Sequence, residues 1–428
     1  MLADRDRQSV WHPYTQMLTA DPPIGIARGE GALLFDENGK AYIDAVSSWW
    51  VNLHGHCNQY IAQKIAEQAK QLEHVIFAGF THEGAVLLAE RLLSILPPNQ
   101  SKIFYSDNGS TAVEVALKMS VQYLYNRGIK KTKIIAFEHA YHGDTFGAMS
   151  VSGVGAFTKP FAPLLFDVIR IPVPLGNNAE TNANASITAL ERAMEHEDVA
   201  AFIFEPLVMA VAGMLMYGAE PLDRMIAICK EKNIPTIADE VFTGFGRTGK
   251  IFATDYLREK PDIICLSKGI TGGFMPLGVT ACSENIYNAF LSDDKNKTFF
   301  HGHSYTANPL ACAAALGSLD LLLGGDCQNS IQHITERHHA CAEKMRVYPF
   351  VKEARVTGTV FAVEIATSEG TSYFNSVRDT AYKFFLGKGI IMRPLGNVIY
   401  FLPPYCITDM QMDRVYRAME EFISDLQF

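Results

Sequence analysis

Short apolar runs alternate with helix-length segments through the middle of this chain. Between residues 100 and 281 the runs are KIFYS, KIIAFE, DVIRIPV, AAFIFEP, IPTIAD, DIICLS and GVTA. Their β-branched and aromatic residues are typical of buried strands, and the intervening lengths suit helices. The alternation predicts an α/β domain in which these seven runs form a mainly parallel sheet.

Both ends of the chain follow a different pattern. The first 55 residues contain a predicted hairpin, GALLFDENGKAYIDAVS, with its turn at Glu37-Asn38-Gly39. After residue 315, helical segments surround VTGTVFAVEIA and GIIMRPLGNVIYFLPP. We therefore predict a large domain over 56–314 and a smaller α+β domain formed by 1–55 together with 315–428. The polar run NNAETNANAS, 177–186, is predicted to be a surface loop.

Composition and charge exclude several classes of partner. The 428 residues are 48% hydrophobic, which suits a globular protein with a sizeable core. A net charge of -9 argues against nucleic acid and anionic membranes, because both attract a concentrated basic surface. The first residues lack a signal-peptide pattern, and the most apolar stretch, LACAAALGSLDLLLGG, is shorter than a membrane span. We expect a cytoplasmic protein that acts on small molecules and keeps its scattered cysteines reduced.

Polar residues follow several of the predicted strands. Asp107, Glu205, Asp239 and Lys268 stand at or just beyond carboxyl ends of strands, where ligands bind in open α/β sheets. A carboxylate and an amine at one sheet edge suit a cofactor that has a pyridinium nitrogen and an aldehyde. Pyridoxal 5'-phosphate is such a cofactor, because a lysine forms its Schiff base and an aspartate pairs with its ring nitrogen.

The segment Asp107-Asn-Gly-Ser-Thr-Ala-Val-Glu114 predicts the change from a strand to a helix. Thr111 and Glu114 have capping-box spacing. Gly109 and Ser110 would then offer N–H groups and a hydroxyl at a helix N-terminus, which suits a phosphate. An ordinary capped helix explains the motif equally well when it is taken alone. The neighbouring Asp239 and Lys268 favour the phosphate interpretation.

Several other residues allow both a functional and a structural interpretation. Tyr141, after KIIAFE, could stack on a planar cofactor or be a surface aromatic. Arg393 stands alone among apolar residues and could grip a substrate carboxylate or form a structural ion pair. Tyr14, Trp49 and Trp50 could line an apolar substrate tunnel or belong to the core.

Two further motifs suggest other chemistry. The run from Gly244 to Lys250 matches the first positions of a phosphate-binding P-loop, but Ile251 replaces the required Ser or Thr. A nucleotide hydrolase is therefore the remote alternative. The segments LHGHC and HGH at 301–303 lack the spacing of a zinc site, so no metal is expected. Ser304 is better interpreted as a phosphate-binding hydroxyl.

Five segments together resemble one enzyme family. ADEVFTGFGRTG, LSKGITGGFMPLG, SDNGSTAVEVALKM, AYHGDTFGAMS and HGHSYTANPLACAAAL resemble the fold-type I, class III pyridoxal-phosphate aminotransferases over nearly the whole chain. WHPYTQM, DAVSSWWVNLHGH and IMRPLGNVIYFLPPY distinguish it from the ornithine, γ-aminobutyrate and β-alanine members. The resemblance implies S-adenosylmethionine as the amino donor, with lysine as the alternative because some relatives use it.

The resemblance implies a role for each matching residue. Lys268 and Asp239 would be catalytic, with Lys268 bonded to the cofactor and Asp239 at its ring nitrogen. The implied cofactor-binding residues are Gly109, Ser110, Tyr141, Asp239, Lys268, His303 and Ser304. The implied substrate-binding residues are Tyr14, Trp49, Tyr141, Gly302 and Arg393.

The family's active sites span a homodimer. The resemblance therefore implies that Gly302, His303 and Ser304 reach the cofactor of the partner subunit. One position departs from the family pattern, because Met209 replaces a usual glutamine after Glu205-Pro206. A methionine cannot supply the amide hydrogen bond that glutamine would offer near the cofactor ring.

Overall fold

The computed structural model describes residues 2–155, 157–175, 179–195 and 198–426. The helices, in chain order α1 to α13, are Leu2–Ser9, Ser47–Trp50, Gln59–Gln71, Glu83–Ile95, Gly109–Asn126, Phe146–Val151, Ala179–Ala193, Ala219–Glu231, Glu284–Asn288, Pro309–Leu322, Gly325–Met345, Val377–Gly387 and Asp409–Ser424. The strands β1 to β16 are Ile26–Glu30, Leu33–Asp36, Ala41–Asp44, Gln100–Ser106, Lys133–Phe137, Val168–Ile171, Val199–Phe204, Val208–Met209, Leu215–Met216, Thr236–Asp239, Ile263–Leu266, Gly278–Ser283, Val351–Thr357, Val360–Ile365, Ile390–Ile391 and Val398–Phe401.

The seven runs predicted as strands form one seven-stranded sheet. Its order is β4-β12-β11-β10-β7-β5-β6. The five strands β11, β10, β7, β5 and β6 run parallel to one another. Strand β12 runs antiparallel to both β11 and β4. The prediction of an α/β fold with a mainly parallel sheet is confirmed.

This sheet is covered on both faces. Along β5 and β7, alternate side chains enter two separate hydrophobic clusters, one with Phe137, Phe202 and Phe204 and the other with Ala136 and Ile203. Strands that are buried on both faces must be apolar at nearly every position. This explains why the runs were visible in the sequence without an alternating polar pattern.

Two smaller sheets come from the ends of the chain. The first has the order β1-β2-β3-β15 and the second the order β13-β14-β16. The predicted hairpin corresponds to β2 and β3, which pair antiparallel. Strand β15, from the carboxyl-terminal part, lies parallel to β3, with Asp44 opposite Ile391. The domain boundaries at 56 and 314 stay a prediction.

The loop predicted at 177–186 is wrong for the part that the structure describes. Helix α7 occupies Ala179–Ala193, while residues 177 and 178 lie outside the described ranges. Ala183, Ile187 and Leu190 are buried at helical spacing, so tertiary packing stabilises the helix. The polar asparagines concealed this apolar face in the sequence.

Within the described ranges no single helix is long and apolar enough to cross a membrane. Helices α10 and α11 reach the required length and apolar composition only together, and the chain bends by 69° between them. The eight cysteines are free thiols, of which Cys57 and Cys406 are exposed, Cys327 is partly buried and the other five are buried.

Candidate active site

A cavity of about 660 Å³ opens at the carboxyl-terminal edge of the central sheet. Among the predicted site residues, those that line it are Gly109, Ser110, Tyr141, Asp239 and Lys268. Glu205, which ends β7, lines it as well, together with Trp50 and His142. The cavity thus lies where a parallel sheet places the ends of its strands.

Strand register explains why Asp239 and Lys268 meet. Asp239 is the last residue of β10 and pairs with Cys265 of the neighbouring parallel strand β11. Lys268 is the second residue after the end of β11, and its φ of +44° lies in the left-handed region. Non-glycine residues adopt this region at a cost and are concentrated at functional sites. The Nζ of Lys268 lies 4.6 Å from the ring centre of Trp50.

The environment of Lys268 favours its neutral amine. Burial, together with the smaller effect of the positive charge of Arg247, lowers the pKa of Lys268 to about 8, although the carboxylates of Asp239 and Glu205 oppose the change. A neutral amine is the form that attacks an aldehyde. The cavity therefore holds a nucleophile that is available near neutral pH.

A change in stability follows from this pKa. The folded pKa of about 8 is below the ordinary value of 10.5, so the unfolded chain binds the extra proton between these values and stability rises with pH across that window. Below pH 8 both the folded and the unfolded chain carry the proton, so the buried charge of Lys268 destabilises the fold to its full extent. In the cofactor-free protein, Lys268→Met should raise the free energy of unfolding by about 3 kcal/mol at neutral pH. Urea titrations at neutral pH and above the window check this; an equal difference at both would contradict it.

Asp239 is held by a histidine that the sequence analysis did not select. His142 Nδ1 lies 2.7 Å from Asp239 Oδ2, and the Val241 N–H donates to Oδ1 at 3.1 Å. The backbone N–H of His142 donates to Ser152 Oγ. His142 immediately follows Tyr141 in the segment AYHGDTFGAMS, but nothing in that segment indicates that the ring of His142 faces Asp239. The pair fixes a buried carboxylate in the cavity wall.

Helix α5 begins at the expected place with a different cap. Asn108 is the N-cap, its side chain accepts from Thr111 N–H at 3.0 Å, and Thr111 Oγ1 accepts from Asn108 N–H. The predicted capping box between Thr111 and Glu114 is therefore wrong by one turn. Glu114 instead accepts from the N–H of Gly147 at 2.7 Å, at the start of α6.

The start of α5 packs closely against two other segments. A Cβ atom at Gly109 would lie 2.7 Å from Val241, so only glycine fits. Ser110 Oγ accepts from Asp144 N–H at 3.2 Å. At Gly143, where φ is +131°, a Cβ would lie 2.1 Å from Ser110 Oγ. These contacts hold the N–H groups of a helix N-terminus at the cavity wall, an arrangement that suits an anion.

Glu205 connects two segments of the cavity wall. Its Oε1 accepts from Tyr141 N–H at 3.0 Å and its Oε2 from Ala210 N–H at 3.2 Å. Burial raises the pKa of Glu205 to about 7, while the nearby His142 opposes that shift. The carboxyl group thereby fixes the backbone of Tyr141, whose ring borders the cavity.

A second cluster contains the substrate residues that the resemblance implies. The hydroxyls of Tyr14 and Tyr141 lie 3.2 Å apart, and Tyr14 also donates to the carboxylate of Asp144. Tyr14 packs on Trp49 with ring centres 5.5 Å apart, and the guanidinium of Arg393 lies 4.4 Å from the Trp49 ring. Burial and then Asp144 raise the pKa of Tyr14 to about 12, so it stays a hydrogen-bond donor.

Neither an ion pair nor a core position explains Arg393 and Trp49. Arg393 has no carboxylate within ion-pair distance among the described residues, so an ion pair within the chain does not explain it. Trp50 is buried, and its Nε1–H donates to Tyr400 at 3.0 Å, so it is a core residue that also borders the cavity. Trp49 is 39% exposed and is not part of the core.

The segment from Gly302 to Ser304 lies outside the cavity of its own chain. Gly302 and Ser304 are exposed, while His303 Nδ1 lies 3.3 Å from Asp107 Oδ2. In the described ranges, no group of histidine, cysteine or acidic residues could hold a metal ion. The single chain therefore does not bring these residues to Lys268.

The P-loop-like run is a packed turn. Arg247 is 1% exposed and donates to the backbone carbonyls of Pro403 at 2.9 Å and Asn52 at 3.1 Å. Its guanidinium lies over the ring of Tyr405. A short 3₁₀ segment, Ala253–Tyr256, follows in place of the helix that a P-loop requires. This geometry does not support nucleotide hydrolysis.

Met209 does not face the cavity. Its side chain is fully buried and belongs to the largest hydrophobic cluster, whereas the next residue, Ala210, borders the cavity. The alternation of a short strand explains the difference between the two neighbours. The missing amide therefore leaves no gap in the cavity wall.

Comparison with known proteins agrees with this geometry. Residues 16–423 match the family described as aminotransferase class-III. The chain belongs to this family. Among its curated relatives, the adenosylmethionine-8-amino-7-oxononanoate aminotransferase of Synechococcus elongatus is 45% identical over 421 residues, which cover 97% of this chain and 99% of the relative.

Solved structures of class III aminotransferases and their relatives have the same fold. The adenosylmethionine-8-amino-7-oxononanoate aminotransferase of Methanocaldococcus jannaschii has a TM-score of 0.94 and 38% identity, covering 100% of this chain and 99% of that one. An amine transaminase from an uncultivated Pseudomonas species, solved in its PLP-bound form, has a TM-score of 0.88 and 29% identity, covering 97% and 98%. This class III aminotransferase is therefore a PLP-dependent enzyme of the fold-type I class.

The residues present fit pyridoxal phosphate. The cavity contains a buried amine, a buried carboxylate oriented by His142, and the N-terminus of α5. These groups match the aldehyde, the ring nitrogen and the phosphate of the cofactor. The buried Nε2 of His142 has no hydrogen-bond partner among the described residues, so the histidine retains hydrogen-bonding capacity beside the Asp239 site.

Proposed function

We propose that this aminotransferase converts 8-amino-7-oxononanoate to 7,8-diaminononanoate in biotin biosynthesis, with S-adenosylmethionine as amino donor. The names of the relatives from Synechococcus and Methanocaldococcus support the reaction. The observation that carries the proposal is the position of Arg393, stacked on Trp49 beside Tyr14 and joined through Tyr14 to the cavity wall at Tyr141. A carboxylate-bearing chain that reaches the cavity would meet these side chains.

Each cavity residue has a defined part in this proposal. Bound pyridoxal phosphate supplies an aldehyde and a protonated ring that withdraws electrons from the carbon next to the amine. Lys268 Nζ would bind the aldehyde carbon, and the Asp239 carboxylate would accept a hydrogen bond from the protonated ring nitrogen. Gly109 and Ser110 would hold the phosphate, and the ring of Tyr141 would lie against the cofactor ring. These contacts would hold the cofactor beside Lys268.

Lys268 also moves the proton that the exchange requires. With the cofactor bound, the amine of Lys268 would take the proton from the donor's α-carbon and pass it to the cofactor. In the second half of the exchange, the same amine would recover that proton and give it to the former ketone carbon of the acceptor. The lowered pKa of Lys268 suits both directions, because general acid–base groups work best when their pKa is close to the operating pH.

Arg393 is expected to bind the acceptor and to take no part in the proton transfers. Arg393→Ala should raise KM for 8-amino-7-oxononanoate about 10- to 100-fold with little change in kcat, because a hydrogen bond to a charged group contributes about 1.5–3 kcal/mol. Steady-state kinetics with the acceptor varied provide the test. Arg127→Ala is the matched control, since Arg127 also lies over an aromatic ring, that of Tyr123, but does not border the cavity. An unchanged KM would remove Arg393 from the site.

A homodimer with shared active sites completes the proposal. Gly302 and Ser304 are exposed, and the neighbouring Phe300 and Tyr305 are 73% and 62% exposed, an apolar surface that suits contact with a second copy. In hybrids of a Lys268→Ala chain with a Ser304→Ala chain, one site of each dimer should regain the pyridoxal-phosphate affinity of the wild type. Monomers in sedimentation, or hybrids with only the weakened affinity, would contradict sharing.

The acceptor assignment is tested by direct comparison of substrates. The purified enzyme should turn over 8-amino-7-oxononanoate with a kcat/KM far above that for the ornithine, γ-aminobutyrate and β-alanine reactions. Separate arms with S-adenosylmethionine and with lysine identify the amino donor. A preference for one of the three smaller amines would replace the proposal with another class III activity, whereas turnover with lysine alone would correct only the donor.

A further inference from the structure

Four consecutive residues between β3 and α3 adopt left-handed backbone angles without a glycine. The φ values are +50° at Ser47, +45° at Ser48, +70° at Trp49 and +73° at Trp50. The turn is closed by hydrogen bonds from Trp50 N–H to Val46 O and from the next residue to Ser47 O. Each non-glycine residue in this region costs about 1–2 kcal/mol, so the turn requires a compensating interaction.

Asp44 provides that interaction. Its side chain is fully buried, and its Oδ1 accepts from the N–H groups of Val46 at 3.2 Å and Ser48 at 3.0 Å. Its Oδ2 accepts from Ser48 Oγ at 2.7 Å and lies 2.9 Å from His56 Nε2. The carboxylate therefore binds the turn at two backbone donors and one side chain.

His56 donates a hydrogen bond to Asp44 through Nε2. Asn52 Oδ1 accepts from the Gly55 N–H at 2.8 Å, which leaves the amide nitrogen of Asn52 facing His56 Nδ1 at 3.2 Å. His56 Nδ1 then accepts, and the proton on Nε2 points to Asp44. All four interactions of the Asp44 carboxylate consequently come from donors, and an amide could not replace both oxygens.

The position of Asp44 links the two ends of the chain. Asp44 is the last residue of β3, and its partner in the parallel strand β15 is Ile391. Beyond these two residues, one segment of the chain continues to Trp49 and the other to Arg393, and the side chains of Trp49 and Arg393 stack. The other tryptophan of the turn, Trp50, contacts the amine of Lys268. The turn thus places one indole ring against Arg393 and the other against Lys268.

We propose that Asp44, oriented by His56, is a positioning residue that holds this left-handed turn and thereby places Trp49 at the acceptor and Trp50 beneath Lys268. Asp44 does not line the cavity. It acts by making the strained turn the favoured backbone conformation. The kinetic part of the proposal rests on the proposed acceptor, while the structural part does not.

The test uses tryptophan fluorescence and kinetics in the holoenzyme. The chain has three tryptophans, and the exposed Trp11 is first replaced in a Trp11→Phe background so that only Trp49 and Trp50 report. Asp44→Asn places an amide nitrogen against the His56 donor and should release the turn. We expect a red-shifted emission and a KM for 8-amino-7-oxononanoate raised about tenfold, since about 1.4 kcal/mol corresponds to a factor of ten.

Two comparisons separate positioning from simple loss of a buried carboxylate. Asp223→Asn is the control, because Asp223 is also buried and accepts from the N–H groups of Arg258 and Glu259, outside the cavity. It should lower Tm without changing emission or KM. Adding Ser48→Gly to Asp44→Asn should restore both readouts, because glycine adopts the left-handed region without steric cost.

Other results would overturn the proposal. They are an Asp44→Asn enzyme with wild-type emission and KM, one that loses only Tm as the control does, or a failure of glycine to rescue. If Asp44→Asn does not fold, Ser48→Ala should produce a smaller shift in the same direction, and wild-type emission there would also overturn it. If the wild type does not use 8-amino-7-oxononanoate, the proposed function fails, but the emission of the variants still decides the role of Asp44.

Discussion

Lys268→Ala is expected to lower kcat by at least about 10⁴-fold while the protein remains folded and still binds pyridoxal phosphate. In the proposed mechanism the variant loses both the amine that would bond to the cofactor and the group that would move the substrate proton. General acid–base catalysis alone contributes about 10²–10⁴-fold. The fold should persist because the replaced amine is a buried group whose pKa is lowered by its surroundings, so its removal relieves a desolvation cost.

Single-turnover and steady-state assays with both amino donors measure this loss. Lys260→Ala is the matched control, because Lys260 is a partly buried lysine whose Nζ donates to the Thr254 carbonyl at 2.9 Å and which does not border the cavity. The control should keep kcat near that of the wild type. Multiple turnovers by Lys268→Ala at the wild-type rate would show that another group performs the chemistry.

Asp239→Asn should reduce kcat by about 10³-fold, the second largest effect. The buried carboxylate, fixed by His142 at 2.7 Å, is expected to keep the cofactor's ring nitrogen protonated. An amide of the same size carries no charge, and removal of one partner of a buried ion pair costs about 3–5 kcal/mol. The ring would then withdraw electrons less strongly, so removal of the α-proton would slow.

This prediction is checked by kcat for the complete exchange and by the affinity for pyridoxal phosphate. Asp262→Asn is a control from the same pair of strands. Asp262 lies just before β11, where it accepts from Thr236 N–H at 3.0 Å, away from the cavity. It should affect stability and spare turnover. A rate for Asp239→Asn within a few-fold of the wild type would show that Asp239 does not control the ring.

The central sheet could be predicted because its signal is local and strong. Strands such as β7, Val199–Phe204, are buried at every position, and a continuous run of apolar residues bounded by polar residues is sufficient to locate them. The proximity of Asp239 and Lys268 could be predicted for the same reason, since the two residues lie at the carboxyl ends of neighbouring parallel strands.

Local signals failed where several local interpretations were possible. Thr111 and Glu114 have the spacing of a capping box, yet Asn108 caps α5 and Glu114 serves α6. The asparagine-rich start of α7 suggested a loop, although Ala183 and Leu190 belong to a buried helical face. In both cases the neighbouring elements, which the sequence does not display, determine the outcome.

The remaining features depend on contacts between distant parts of the chain. The parallel pairing of β3 with β15 brings Trp49 and Arg393 together from opposite ends of the sequence. The orientation of His142 toward Asp239 is also a long-range contact. The left-handed turn that ends at Trp50 has no glycine to reveal it, so its support by Asp44 became visible only in three dimensions.

The activity proposed for this chain is the transfer of an amino group to 8-amino-7-oxononanoate. The most direct measurement is mass-spectrometric detection of 7,8-diaminononanoate after the purified holoenzyme is incubated with that acceptor and either S-adenosylmethionine or lysine, with Lys268→Ala as the blank. We predict that the diamine accumulates over many turnovers with S-adenosylmethionine and not in the blank. Absence of the diamine with both donors, from an enzyme that has bound pyridoxal phosphate, would contradict the account.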